Sequence, residues 1–396
     1  MADTVHLAGA ARGRPGRGRR PAARESVLDA IRAAGQLSRV ELAEVTGLTE
    51  AAVSMTVRRL LDEGVVVTDG RTPTGGKPRT LLRLDPGARL AVGVHLDRDL
   101  TTFVLTGQTG GVIARLARPA PGAGGLLAGL AGGVTALLRA ADVDRARCLG
   151  VGVVWPGARD DVPHLRGWDA AGLGARLGEE TGWPVLVESD TTAAAVGEYW
   201  VARVGPERAF AALHMGGDIG AGVVVDGRAL RGGGFGHLCV RVDGPECWCG
   251  SRGCLEVVAG PRTVVTAALA DPVAAAEAGL DPAAARAVAA GFAAVARAAR
   301  AGAPRCSALL AESARYVAAA AESVVNLLDI DLVVLTGPGF AAASFVYGPA
   351  IVDRLRPADT RTWHRAVTVT VSSAAAIAPA TGAAALVLQS HLRQPR

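Results

Sequence analysis

Lysine is nearly missing from this 396-residue chain. Lys77 is the single lysine among 42 basic residues, and beside the excess of Ala, Gly, Val and Arg this reads as a base-composition bias without functional content. Aromatic residues are only 4%, so Ala, Val and Leu must fill any core. Excess charge is scarce too: 42 basic against 37 acidic residues leave a formal +5. Arg12, Arg14, Arg17, Arg19, Arg20 and Arg24 stand against Asp3 in the first 24 residues, which accounts for that whole excess. The rest of the chain is neutral. A uniformly basic coat for nucleic acid is excluded; a basic arm on a neutral body is not. Long apolar runs are missing as well. Leu332–Val352 and Ala366–Leu392 are uncharged but broken by Gly, Pro, Ser and Thr. They read as strand–turn–helix pieces, since a membrane span needs about 20 predominantly apolar residues. No apolar leader follows the start, so the expected location is cytoplasmic, away from membranes. Six cysteines are too few for a disulfide framework over this length, and three of them fall within eight residues, which points to metal.

Half the chain is apolar, and its length exceeds one ordinary domain, so two or three are expected. Residues 1–23 are Arg, Gly, Pro and Ala without periodicity and are expected to be a disordered basic arm. From Arg24 the pattern turns helical: Val27, Leu28 and Ile31 share a face and Gly35 ends the run. Ser38-Arg39-Val40-Glu41 is a capping box. The short helix behind it carries Val40, Leu42, Ala43 and Val45 and stops at Gly47. Thr49 caps a third helix with Val53, Val57, Leu60 and Leu61 inward and Gly64 at its end. Val65–Val67 and Thr80–Leu84 then read as strands around a Gly/Pro/Lys/Arg loop.

Three helices with a tight turn and a hairpin in about sixty residues make a winged helix-turn-helix, expected over residues 24–86. Its candidate DNA-binding residues are Ala51, Ser54, Met55, Arg58 and Arg59 on the open face of the third helix, the cap residues Ser38 and Thr49, and Lys77 and Arg79 in the wing. Ser and Arg reach base edges or phosphates, and Ala and Met meet thymine methyls. Residues 25–85 carry eight basic and nine acidic residues, so phosphate attraction rests on placement and on the arm.

After Asp85-Pro86-Gly87, apolar strands alternate with Ala-rich helices, an α/β pattern. Strands are expected at Leu90–Val94, Thr102–Leu105, Gly111–Ala114, Leu149–Val154, Val185–Glu188, Phe210–Met215, Gly222–Val225, Leu332–Leu335 and Val367–Val371. Helices are expected around Leu126–Ala140, Thr191–Ala202, within 261–328, and from Thr381.

The spacing Cys247-x-Cys249-x4-Cys254, with His237 upstream, offers three thiolates and an imidazole, a tetrahedral structural zinc set. Cys239 is a rival fourth ligand on spacing alone.

Ile219-Gly220-Ala221-Gly222, Gly236-His237 and Cys247-Trp-Cys249-Gly-Ser-Arg-Gly-Cys254-Leu-Glu256 together resemble the ROK family (repressors, open reading frames and kinases). The resemblance covers nearly the whole chain from Arg24. Gly75-Gly76-Lys77-Pro78 resembles the wing of the repressor branch. The resemblance implies a two-lobed actin-like, ribonuclease-H-like domain over residues 87–396 that senses a ligand in its cleft and dimerises. It favours His237 over Cys239 as the fourth metal ligand. It also implies Ser189, Asp190, His237 and Glu256 as ligand-binding residues, Asp190 being where the kinases place a general base.

The family's phosphate turn is altered. His95 stands where an acid is usual, and no Gly-x-Thr follows. In Gly216–Gly222, Gly217 and Asp218 replace a Thr and a Gly, and an acid in an anion nest disfavours ATP. Ser189, His164 and Gly234 replace sugar-contacting Asn, Asn and Glu. The expectation is therefore a transcriptional regulator and not an enzyme: no catalytic residues are expected, the operator is double-stranded DNA, and the effector is sugar-like. The protein is expected to be a homodimer or homotetramer. A sugar kinase with an accessory DNA-binding domain, and a regulator without an effector, are the alternatives.

Overall fold

A computed structural model describes residues 23–72, 78–97, 100–122, 124–155, 165, 167–202, 208–230, 234–281, 287–356 and 366–393. The arm and Lys77 lie outside these residues. The first helix, α1 (Ala23–Ala34), buries Val27, Leu28 and Ile31 and ends at Gly35, whose φ of 82° is left-handed. A short strand, β1 (Gln36–Ser38), follows and was not foreseen; it pairs with the wing. The capping box forms as expected: Ser38 Oγ accepts from Glu41 N and Glu41 accepts from Ser38 N at 2.7 Å, starting α2 (Arg39–Thr46). Gly47 closes that helix at φ 65°, and Thr49 caps α3 (Glu50–Asp62). Strands β2 (Val66–Thr72) and β3 (Arg79–Leu84) complete a three-stranded sheet in the order β1-β3-β2. Leu42 is the α2 residue buried in the shared core, whereas Val45 of the same apolar set is 59% exposed.

The remaining chain forms two five-stranded sheets. The first uses β4 (Leu90–Leu96), β5 (Leu100–Gly107), β6 (Val112–Pro119), β7 (Cys148–Trp155) and β8 (Val185–Ser189) in the order β6-β5-β4-β7-β8. Helices α4 (Leu126–Ala140), α5 (Ala170–Thr181) and α6 (Asp190–Val201) are interleaved with it, α5 being unforeseen. The second uses β9 (Phe210–Met215), β10 (Ile219–Val225), β11 (Arg228–Leu230), β12 (Leu332–Thr336) and β13 (Thr368–Val371) in the order β11-β10-β9-β12-β13. Each sheet is an antiparallel three-strand meander followed by two parallel strands. That duplicated topology is the actin-like, ribonuclease-H-like arrangement expected from the sequence. Helices α7 (Leu255–Ala259), α8 (Pro261–Ala270), α9 (Pro272–Ala278), α10 (Val288–Arg300), α11 (Pro304–Leu328) and α12 (Pro338–Leu355) build the outer layer of the second lobe. The last helix, α13 (Ala378–Arg393), starts three residues before the expected Thr381. Strand β10 also starts early: Ile219–Gly222 is strand, so the glycine-rich turn is confined to residues 216–218. Among the described residues no helix is long and apolar enough to cross a membrane.

Helices α6 and α13 lie between the two sheets and share one apolar core with both, including Ala91, Val196, Ala212, Val334 and Ala384. Their backbones touch. A Cβ on Gly382 would sit 1.6 Å from the Ala193 carbonyl oxygen, and one on Gly197 would sit 2.1 Å from that of Ala378. Overpacking a tight core typically costs about 1–3 kcal/mol, and here the obstacle is backbone that cannot swing aside. Gly382→Ala is therefore expected to lower the thermal unfolding midpoint markedly in a circular-dichroism melt. Gly348→Ala, within α12 with nothing within 4 Å of its added methyl, is expected to be neutral or slightly stabilising. Equal melts for the two variants would contradict the close α6–α13 contact.

Candidate nucleic-acid interface, ligand cleft and metal cluster

The third helix presents the face its spacing predicts. Val53, Val57 and Leu60 are buried, and Ala51, Ser54, Met55, Arg58 and Arg59 are exposed, Met55 by 57%. Thr49 is exposed at its N-terminus, its hydroxyl accepting from Ala52 N at 3.2 Å. Arg79 is exposed at the base of the wing. Ser38 departs from the expectation. It is 2% exposed and its hydroxyl is engaged as the α2 cap, so it cannot reach DNA without uncapping that helix.

The C-terminal ends of β4 and β9 and the N-terminus of α6 meet between the lobes, the usual place for a ligand in such sheets. They bring His95, Asp97, Asp190 and His214 within electrostatic reach of one another. Burial favours the neutral form of both His95 and Asp190, pushing the imidazole pKa down and the carboxyl pKa up. Asp190 Oδ1 accepts from Thr191 N at 2.7 Å. Ser189 is occupied as the α6 N-cap, donating to Thr192 Oγ1 at 2.9 Å. Glu256, 7% exposed, accepts from Ile219 N at 2.9 Å and so fastens the start of β10. Three of the residues implied as ligand contacts, Ser189, Asp190 and Glu256, thus have structural partners. His214 was missed by sequence reasoning; a lone histidine inside the apolar run Phe210–Met215 was its only signal. It is 4% exposed, and its Nδ1 makes no hydrogen bond among the described residues. His164 lies outside those residues.

The metal-type residues do converge. The ligand atoms of His237, Cys247, Cys249 and Cys254 all lie within 4.8 Å of one another. Cys247 Sγ is 3.6 Å from His237 Nδ1, and Cys249 Sγ is 3.7 Å from Cys254 Sγ. Gly250 and Gly253 turn the loop through left-handed φ values of 88° and 67°. Trp248 packs edge-on against His237 at 4.7 Å. Cys239, the rival, is exposed and falls outside this group. The cluster can hold a metal ion.

Fold and sites together define a two-lobed, sugar-kinase-like α/β protein with an N-terminal winged helix-turn-helix. A profile of the ROK family matches residues 92–390, and one of winged helix-turn-helix DNA-binding segments matches 23–67. The chain belongs to the ROK family. The xylose repressor of Caldicellulosiruptor bescii is 27% identical over 246 residues, which are 58% of this chain and 61% of that protein. The chain thus spans about three fifths of the length of such curated relatives. Among solved structures, a ROK family transcriptional regulator, homolog of the Escherichia coli MLC protein, superposes with a TM-score of 0.70 at 23% identity, covering 93% of this chain and 96% of that one. A ROK glucokinase from Streptomyces griseus, in complex with glucose and AMPPNP, gives 0.60 at 24% identity over 76% of this chain and 99% of its own.

Burial pushes the pKa of His214 from 6.5 down to about 4. Between those values the unfolded chain binds a proton that the folded one refuses. Stability present above about pH 6.5 is therefore lost as pH falls, on the order of 2 kcal/mol by pH 5. Asp190, raised by burial, acts in the opposite direction, so the effect is read by difference. The fall in unfolding midpoint from pH 7 to pH 5 is expected to be smaller in His214→Asn than in the parent protein. Identical pH dependence would contradict a buried neutral imidazole.

Proposed function

We propose that this protein is a DNA-binding transcriptional regulator, a repressor in type. Residues 24–86 would bind the operator, and residues 87–396 would dimerise and sense a sugar-like molecule in the cleft. The observation that carries the reading is the exposed face of α3, Ala51, Ser54, Met55, Arg58 and Arg59, on a capped helix behind a tight Gly47 turn. The similarity to the xylose repressor and to the MLC-type regulator supports it. Two-fold pairing of copies sets half-sites about one helical turn, or a multiple, apart.

Selection of bound duplexes from a random-sequence pool tests the reading. A recurrent, two-fold-related motif is expected; no enrichment would overturn it. Ser54→Ala or Met55→Ala should change the selected sequence. Arg59→Ala, Lys77→Ala or Arg79→Ala should weaken binding to every duplex and shallow the salt dependence by about one per lost phosphate contact.

The same reading makes the metal cluster a structural zinc site. Zinc bonds of about 2.3 Å to sulfur and 2.0–2.1 Å to nitrogen give tetrahedral edges near 3.8 Å and 3.6 Å. The 3.7 Å sulfur pair and the 3.6 Å sulfur–nitrogen pair fit those edges. Four protein ligands leave no open position for reactive water. Purified protein should carry about one zinc per chain by elemental analysis, and Cys249→Ser should lower both zinc content and melting temperature. Asp190 in the cleft is what favours the alternative, a sugar kinase. Against it stand His95 in the phosphate turn and Asp218 in the second loop. ADP release by the zinc-loaded protein across hexoses, amino sugars and polyols should stay below about 1 s⁻¹, the low end for kinases. Faster turnover lost in Asp190→Asn would establish the enzyme.

A further inference from the structure

Helix α6 touches both ends of the molecule. Its N-terminus carries Ser189 and Asp190 at the cleft, and its C-terminus carries Tyr199 and Trp200 against α1 of the winged module. At that seam sits a buried polar latch. Arg32, 4% exposed, donates through Nη1 to the Tyr199 carbonyl at 3.1 Å and pairs with Asp29 Oδ1 at 2.9 Å. Its guanidinium stacks 4.2 Å from the Tyr199 ring centroid and 5.5 Å from that of Trp200. The Tyr199 hydroxyl, 1% exposed with its residue, donates to Asp29 Oδ2. Tyr199 is thus held at its ring, its hydroxyl and its carbonyl by two residues about 170 positions away.

We infer that α6 couples the cleft to the DNA-binding module, with the Asp29–Arg32–Tyr199 latch as the coupling joint. The inference rests on the regulator reading for its purpose, not for its geometry. An apolar seam can slide, whereas a desolvated arginine needs its partners in place and is costly to strand without them. The joint is therefore either latched or parted. The rest of the junction supplies a pivot: Gln108 Nε2, in the turn after β5, donates to the Val65 carbonyl at 2.8 Å at the base of the winged module. On its other side α6 is tied to the second lobe, where Thr336 Oγ1 donates to Glu198 at 2.8 Å. Displacement of α6 at its cleft end is delivered to Tyr199 one helix length away. From there it passes to α1, whose Val27 and Ile31 share a core with Val53 and Val57 of α3.

The test is amide hydrogen exchange on the full chain without DNA or ligand, read over residues 23–34. Tyr199→Phe keeps the ring and the stack but removes the hydroxyl bond to Asp29. It should speed exchange of residues 23–34 by about tenfold while leaving β7 unchanged. Asp190→Asn, at the other end of α6, should change exchange over 23–34 by about fivefold in the parent background and not at all in Tyr199→Phe. Absence of either single-variant effect, or persistence of the Asp190→Asn effect in the double variant, would overturn the coupling. Arg32→Gln gives a second break of the same latch, and Tyr199→Phe keeps the test intact should that variant misfold. Because no DNA enters the measurement, failed duplex selection would sink the regulator reading alone, and failed exchange coupling would sink this inference alone.

Discussion

Everything in the large domain hangs on the backbone contact between α6 and α13. These two helices form the middle layer and share one apolar core with both sheets. Helices with ordinary side chains pack at axial distances of about 8–10 Å. Here a carbonyl of each helix occupies the space where the other's Cβ would be, at Gly382 and Gly197. The sheet below accepts α13 on the same terms: a Cβ on Gly93 of β4 would lie 1.7 Å from the Ala380 carbonyl oxygen. Interiors packed this closely are not continuously deformable. The lobes therefore move with this helix pair or not at all.

Under the regulator reading proposed above, that stiffness would serve recognition. The cleft keeps an acid at the α6 N-terminus, but burial favours the neutral forms of Asp190 and its neighbour His95. General-base help is typically worth about 10²–10⁴-fold, while positioning of reactants can supply roughly 7–11 kcal/mol. The residues altered here, His95, Asp218 and Gly234, fall on the positioning side. What persists, Asp190 and Glu256, is wired into backbone: Thr191 N for one and Ile219 N for the other. Groups wired in this way can transmit the presence of a ligand to the strands and helices that hold them.

Much of this was legible in the residues. Capping boxes, left-handed glycines and apolar spacing act locally, so α1, α2, α3, α4 and β9 fell at or near their expected bounds. The metal loop was legible for the same reason, being one short segment with His237 close behind. What escaped was decided at long range. Strand β1 exists because Leu37 finds Leu82 across a ladder. Val45 looks like core by composition, yet the small module has no further layer to cover it. Gly220 and Ala221 read as a phosphate loop but are strand, because β10 pairs Ile219 with Met215 from its first residue. His214, and the partnership of Arg32 with Tyr199, depend on residues far apart in sequence, for which no local pattern exists.

The three candidate functional regions converge on one helix by different chemistry. The metal loop ends at Cys254, which is the N-cap of α7, and two residues on Glu256 grips the start of β10. Strand β10 then lies against α6 so closely that a Cβ on Gly222 would sit 2.2 Å from the Thr191 carbonyl oxygen. The cleft supplies Asp190 to the first turn of α6, and the winged module closes on its last turn through Arg32. An arginine at that end also favours the carbonyl dipoles left unpaired at a helix C-terminus. A metal held at that loop would thus stabilise the strand that seats α6, and α6 in turn, on the coupling proposed above, would set where α1 can dock. A chain built only to bind DNA would need none of this. The expense of burying Arg32 in that seam is understandable if the position of α1 has to depend on the state of the cleft.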